Sequence, residues 1–150
     1  MTMLKKESSD DASYLDIAEF IMTRGATGSI KDDLAQLFRR VVFNAAISNR
    51  DDHLRNHGFI LMPNGWRLSP AFDINPNIDK AEHALNLDIG DNRANLESVI
   101  ATAQYYELTQ DQAVQIVSEI LSVTRTWEAV AKNLAISRGD IELMRAAFQS

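Results

Sequence analysis

Asn64-Gly65 is the only strong hairpin signal in a chain whose flanks both read as helix. Asn-Gly accepts the positive φ angles of tight turns, so Phe59-Ile60-Leu61-Met62 and Trp66-Arg67-Leu68, joined around Pro63-Asn64-Gly65, are expected to pair. On the N-terminal side, Ser13-x-x-Asp16 resembles a capping box with Asp in place of Glu. Leu15, Ala18, Ile21 and Met22 then recur at helical spacing until Gly25 breaks the pattern. Ser29 opens a second helix, with Asp32 and Asp33 at its positive dipole end and an apolar stripe of Leu34, Leu37, Phe38, Val41, Val42 and Ala45. On the C-terminal side, Leu96, Val99, Ile100 and Ala103 form a short amphipathic series. Thr109 and Gln112 make a capping box for one long helix carrying Ala113, Ile116, Val117, Ile120, Leu121, Val123, Trp127 and Val130, broad enough to be buried on more than one side. A last helix is expected from near Ser137 to the end, with Ile141, Met144, Ala147 and Phe148 inward. The expected fold is mainly α with a small β-hairpin, about half of the chain being helical. Between Ile74 and Asn92 no period is sustained, which predicts a long, mobile loop with a short extended piece over 84–89.

The hairpin separates two acidic elements. Asp51-Asp52-His53-Leu54-Arg55-Asn56 contains Asp-x-x-x-x-Asn, the spacing of the catalytic loop of protein kinases, in which Asp accepts the substrate hydroxyl proton and Asn ligates Mg²⁺. Asp73, in Pro70-Ala71-Phe72-Asp73, follows the hairpin where kinases place their other metal-binding Asp. The residue types suit the chemistry. Mg²⁺ takes hard oxygen ligands and keeps several waters, so the Asn56 amide, the Asp73 carboxylate and nucleotide phosphates make a site. Asp51 would orient the acceptor hydroxyl and take its proton late. No glycine-rich phosphate loop and no strand-borne Lys precede these motifs.

At 150 residues the chain is expected to form one domain, 1–150, and to bury about 70% of its unfolded surface. With 45% hydrophobic and 24% charged residues it is an ordinary globular sequence, neither disordered nor a coiled coil. It has no cysteine, which removes disulfides, thiolate metal sites and Cys nucleophiles and is compatible with a cytoplasmic setting. A net charge of −6 argues against direct nonspecific nucleic-acid binding. Met1-Thr2-Met3-Leu4-Lys5-Lys6 lacks the apolar segment of a signal peptide, and no later run is long enough for a membrane span, so no membrane association is expected.

Plainer readings stand beside these. Asp52 is expected to cap or solvate its turn rather than ligate a metal, and His53 to be a packed loop histidine orienting Asp51 or nearby carbonyls. His53 and His57 lie four apart, but no third ligand is evident and Gly58 argues against a helix, so zinc is not expected. Gly25-Ala26-Thr27-Gly28-Ser29-Ile30-Lys31 lacks the ending of a phosphate loop and reads as a helix C-cap followed by an N-cap. Arg39, Arg40 and Arg50 read as solvated charge. Arg55 either neutralises Asp51 or steers an acidic substrate, or it forms a structural ion pair. Trp127 is expected in the core and Tyr105-Tyr106 as a packing pair.

Three stretches together resemble a known family. They are Ser13-Tyr14-Leu15-Asp16-Ile17-Ala18-Glu19-Phe20-Ile21, Asn49-Arg50-Asp51-Asp52-His53-Leu54-Arg55-Asn56-His57-Gly58-Phe59 and Leu68-Ser69-Pro70-Ala71-Phe72-Asp73-Ile74-Asn75-Pro76, and they are similar to the C-terminal lobe of HipA-type serine/threonine kinases, the toxins of HipBA toxin–antitoxin systems. The resemblance covers nearly the whole chain. It implies a kinase-like C-terminal lobe (α+β) acting with ATP and Mg²⁺, with Asp51 catalytic and Asn56 and Asp73 as metal and cofactor ligands. It also implies a translation-related protein substrate, such as glutamyl-tRNA synthetase, and a DNA-binding HipB-like antitoxin as partner. The family's N-terminal lobe, which covers the nucleotide, has no counterpart in this sequence. Either a longer natural protein was cut or the gene encodes a remnant, and little or no turnover is expected of the chain alone. Two other readings remain open: a non-catalytic antitoxin-binding remnant of such a kinase, and a metal-dependent phosphohydrolase using Asp51, Asp52, His53 and Asp73.

Overall fold

A computed structural model of the chain describes residues 13–77 and 95–148. Helix α1 spans Tyr14–Arg24 and opens on Ser13, whose N–H and hydroxyl donate to the Asp16 carboxylate at 2.8 and 3.2 Å. Asp is therefore long enough to close the box in place of Glu. The buried face is Tyr14, Ile17, Ala18 and Ile21. Met22, expected inward, is exposed, because Tyr14 and Ile17 set the centre of the stripe one step away from it. Helix α2, Ile30–Ala46, buries every residue of its expected stripe, and α1 packs across it. Ser29 occupies its N-cap, but the hydroxyl makes no capping bond.

Strands β1, Phe59–Met62, and β2, Gly65–Leu68, pair antiparallel with Met62 opposite Gly65. The two-residue turn is thus Pro63-Asn64, and the glycine lies in the strand. Gly65 has φ +135°, and a Cβ there would sit 2.6 Å from the Gly25 carbonyl oxygen and 2.7 Å from Ala26 Cα. The glycine serves close approach as well as turning: Ala26 N–H donates to Trp66 O at 2.8 Å and Thr27 N–H to Asn64 O at 3.2 Å. These bonds pin the ribbon to the α1–α2 connection, and the Phe20 ring packs on Phe59 with centroids 4.5 Å apart.

Residues 74–77 adopt no regular structure; the remainder of the expected loop, including 84–89, lies outside the described residues. Helix α3, Leu96–Ala101, leads through a 3₁₀ turn, Ala103–Tyr106, to α4, Gln110–Thr124, which opens on the expected Thr109–Gln112 capping box. Val99, Ala103, Ala113, Ile116 and Val117 join the stripes of α1 and α2 and Leu68 in one core. Tyr106 is buried against Phe38 at 5.2 Å, whereas Tyr105 is exposed, so the two tyrosines divide between core and surface.

The expected single helix through Val130 is two. Helix α4 ends at Thr124 and α5 runs Trp127–Asn133, because the Thr124 and Thr126 hydroxyls donate to Leu121 O and Val123 O, and Thr126 N–H turns back only three residues to Val123 O. Burial is one-sided: Val123 and Val130 are exposed. Trp127 stacks on Phe148, centroids 4.3 Å apart and rings 7° from parallel, outside the main core. Helix α6, Arg138–Met144, stops short of the end, with Ile141 and Ala147 buried. No helix among the described residues is long and apolar enough to cross a membrane.

Candidate active site

Helix α2 carries a polar row beside its apolar stripe. Asp33, Arg40 and Asn44 lie seven and eleven residues apart, close to two and three turns, so all three share one face. All three are buried, and each holds a different part of the chain that follows. The Asp33 carboxylate receives Arg67 Nε at 3.0 Å and Leu68 N–H at 3.0 Å, which fixes β2. Arg40 donates to Ser69 O just beyond β2. Its Nε and other terminal nitrogen are buried without a partner. Burial pulls its pKa below the ordinary arginine value, against the opposing pull of the Asp52 and Asp33 carboxylates. Arg40 is therefore part of the interior rather than the solvated charge expected, while Arg39 does face solvent, where it pairs with Glu119 at 2.9 Å.

Asn44 reaches the loop after α2. Its Nδ2 donates to Asp52 Oδ2 at 2.7 Å, and its Oδ1 accepts from Asn49 Nδ2 at 3.1 Å. Asp52 is the centre of this region, contrary to the expectation that it would cap or solvate a turn. It is 4% exposed, and its Oδ2 also accepts from the Tyr14 hydroxyl at 2.6 Å and meets His57 Nε2 at 2.9 Å. A buried carboxylate is costly unless donors surround it, and three side chains supply them here. The Nε2–H tautomer of His57 would donate to Asp52 Oδ2, and Nδ1 of the same ring is buried and unpartnered. Burial first, then the Asp52 charge, pushes the Tyr14 phenol well above its usual pKa, so it stays a donor. His57 meets Asp52 through Nε2, whereas His53 Nδ1 is buried with no partner. Sequence reasoning missed this cluster because its members come from α1, α2 and two sides of a 3₁₀ turn. The one available signal was an aromatic with a hydroxyl, Tyr14, on the inward stripe of α1.

Of the residues singled out by spacing, two flank this hub in sequence and the third follows β2. Asp51 immediately precedes Asp52 and is exposed. Asn56 ends the 3₁₀ turn Leu54–Asn56 and is buried. Asp73 is exposed, adopts the left-handed region at φ +55°, and accepts from Asn75 Nδ2 at 3.1 Å on Oδ1. The segments bearing them are tied together at two places. Ser69 N–H donates to Gly58 O at 2.9 Å, and Asn77 N–H donates to Ser48 O at 3.0 Å. Gly58 permits the first approach, since a Cβ there would lie 2.8 Å from Ser69 Oγ and 3.4 Å from the Phe72 ring. Ser48, at φ +53°, is a second left-handed non-glycine residue in the same region. Such backbone persists where the surroundings hold it, and it gathers at binding and catalytic loops. Arg55 is exposed and forms no ion pair among the described residues. No group of three His, Cys, Asp or Glu gathers as a metal cluster among the described residues, and His53 and His57 flank a 3₁₀ turn rather than share a helix face.

The fold is similar to part of one chain in a solved toxin–antitoxin complex. A HipA chain of the Shewanella oneidensis MR-1 complex of HipA, HipB and operator DNA superposes with a TM-score of 0.67 at 15% identity, over 89% of this chain and 32% of that one. This chain therefore spans about a third of the length of that relative. Among curated proteins none matches. The HipA-like C-terminal domain model matches residues 1–127, so the chain belongs to the family of HipA-like C-terminal domains.

Proposed function

We propose that the chain is the C-terminal catalytic lobe of a HipA-like, ATP- and Mg²⁺-dependent serine/threonine protein kinase toxin, working together with an N-terminal lobe. The observation that carries this reading is the tying of the 69–77 segment to the Asp51–Asn56 loop through the Ser69–Gly58 and Asn77–Ser48 bonds, which brings the two motif-bearing segments side by side. In the proposed roles, exposed Asp51 orients the acceptor hydroxyl and takes its proton, while the Asn56 amide oxygen and the Asp73 carboxylate hold the metal. Both donors are hard oxygens, and two of them leave most of an octahedral shell to phosphates and water. The set therefore fits a metal–nucleotide complex better than a bare ion. Bound Mg²⁺ would neutralise charge on the transferring phosphoryl group.

The family relationship and the HipA–HipB assembly of the solved relative support a HipB-like antitoxin as partner. The net charge of −6 favours nucleic-acid contact through that partner rather than by this chain. The proposed substrate is a translation-related protein, and the proposed setting is the cytoplasm. The phosphohydrolase reading loses support because Asp52, one of its four groups, is spent on Tyr14, Asn44 and His57. The test is a phosphorylation assay on the chain joined to a HipA-type N-terminal lobe. Mg²⁺-dependent phosphorylation that Asp51→Asn abolishes is expected; full turnover in that variant would overturn the role of Asp51.

A further inference from the structure

We infer that Asp52 is the positioning residue of the candidate site, setting the stance of Asp51 and Asn56 through its bonds to Tyr14, Asn44 and His57 without touching nucleotide or metal. The inference deepens the kinase reading and rests on it for its functional meaning.

Asp52 is covalently next to Asp51, and His57 is next to Asn56. The 2.9 Å contact between Asp52 Oδ2 and His57 Nε2 therefore closes the loop on itself, with the two candidate residues just outside the closure at one end and just inside it at the other. Closure alone would leave the loop free to rock as a unit. Tyr14 and Asn44 remove that freedom, because they reach the same oxygen from α1 and α2, the best-buried helices of the core. The Tyr14 ring also meets the His57 ring edge-on, with centroids 5.7 Å apart. One oxygen thus receives three donors from three separate parts of the fold, so the loop's orientation is referred directly to α1 and α2. Asn44 extends the same control upstream, since its Oδ1 holds Asn49 two residues before Asp51. Asn77 N–H on Ser48 O then passes the stance of this loop to the segment carrying Asp73. A side chain 4% exposed cannot itself contact a protein substrate, which separates its role from that of Asp51.

The test is amide hydrogen exchange on the 150-residue chain, read at Asn49, Asn56, His57 and Asn77, whose N–H groups donate to Asn44, His53, Leu54 and Ser48 carbonyls. The amides of Ala113–Val117 in α4 serve as the internal reference. Tyr14→Phe and Asp52→Asn are expected to accelerate exchange at the loop positions at least about tenfold more than in α4. His57→Gln, which keeps a donor, is expected to stay near the unaltered protein, whereas His57→Leu follows the other two. Equal acceleration in loop and α4, or no loop response, would overturn the inference, as would equal behaviour of His57→Gln and His57→Leu. In parallel, Mn²⁺–ATP is added to the same samples, and paramagnetic broadening is followed at Asn56, His57 and Asp73. Broadening in the unaltered chain that fades in Asp52→Asn joins the positioning role to the metal. Absence of broadening in the unaltered chain at Mn²⁺–ATP concentrations that fill a weak site counts against the kinase reading alone, because the exchange pattern decides the positioning role independently.

Discussion

The Tyr14 hydroxyl lies 2.6 Å from Asp52 Oδ2, joining the first turn of α1 to a loop 38 residues later inside the protein. Removing it by Tyr14→Phe leaves the ring in place but takes one donor from a buried carboxylate. A stability loss of about 1–3 kcal/mol is expected, measured by urea unfolding. A change within error would show that Asn44 and His57 satisfy Asp52 without help.

The same phenol makes stability sensitive to alkali. Its folded pKa is raised well above the model-compound value of 10.0, by burial first and by Asp52 second. As pH rises past about 10, the unfolded chain loses this proton while the folded one keeps it, so the unfolded state binds fewer protons and stability falls. The contribution is intact below that pH and declines above it by up to about 1.4 kcal/mol per pH unit. The difference in unfolding free energy between the unaltered protein and Tyr14→Phe, measured from pH 9 to 11, should shrink accordingly.

Asp33 and Arg67 form an asymmetric pair. Asp33 is buried and also receives Leu68 N–H, whereas the Arg67 side chain is 40% exposed. Asp33→Ala is expected to cost about 1–3 kcal/mol by leaving a buried N–H unpaired, and to loosen the hairpin against α2. Arg67→Ala should cost clearly less, because water replaces it at the surface. Thermal unfolding of the two variants checks the order.

Gly65→Ala places a methyl against Gly25 O and Ala26 at a backbone φ of +135°. A loss on the order of 2–4 kcal/mol is expected by calorimetric unfolding, with the ribbon displaced from the α1–α2 connection. A tolerated alanine would show that Gly65 is only a turn residue.

The helices were legible wherever apolar spacing and a cap agreed: the α2 stripe is buried in full, and Thr109 with Gln112 opens α4 as expected. The same spacing misled beyond Thr124, where threonine hydroxyls compete for backbone carbonyls and Val123 and Val130 face solvent. Asn64-Gly65 located the hairpin correctly but not its turn, because the glycine is required by the approach of Gly25 and Ala26, which a local dipeptide rule does not see. Around the site, motif spacing singled out Asp51, Asn56 and Asp73, while the importance of Asp52 and Arg40 was illegible. A charged residue reads as solvated until its partners are known, and those of Asp52 lie on α1, on α2 and beyond a 3₁₀ turn.

Calorimetric titration with Mg²⁺–ATP tests the proposed roles, in which Asn56 and Asp73 hold a metal–nucleotide complex while Asp51 serves the acceptor. The titration uses the chain joined to a HipA-type N-terminal lobe, beside the 150-residue chain alone. Expected are weak binding by the chain alone, clear binding by the joined protein, a marked loss with Asp73→Asn, and affinity nearly unchanged with Asp51→Asn. Unchanged affinity in Asp73→Asn, or tight binding by the chain alone, would contradict the account.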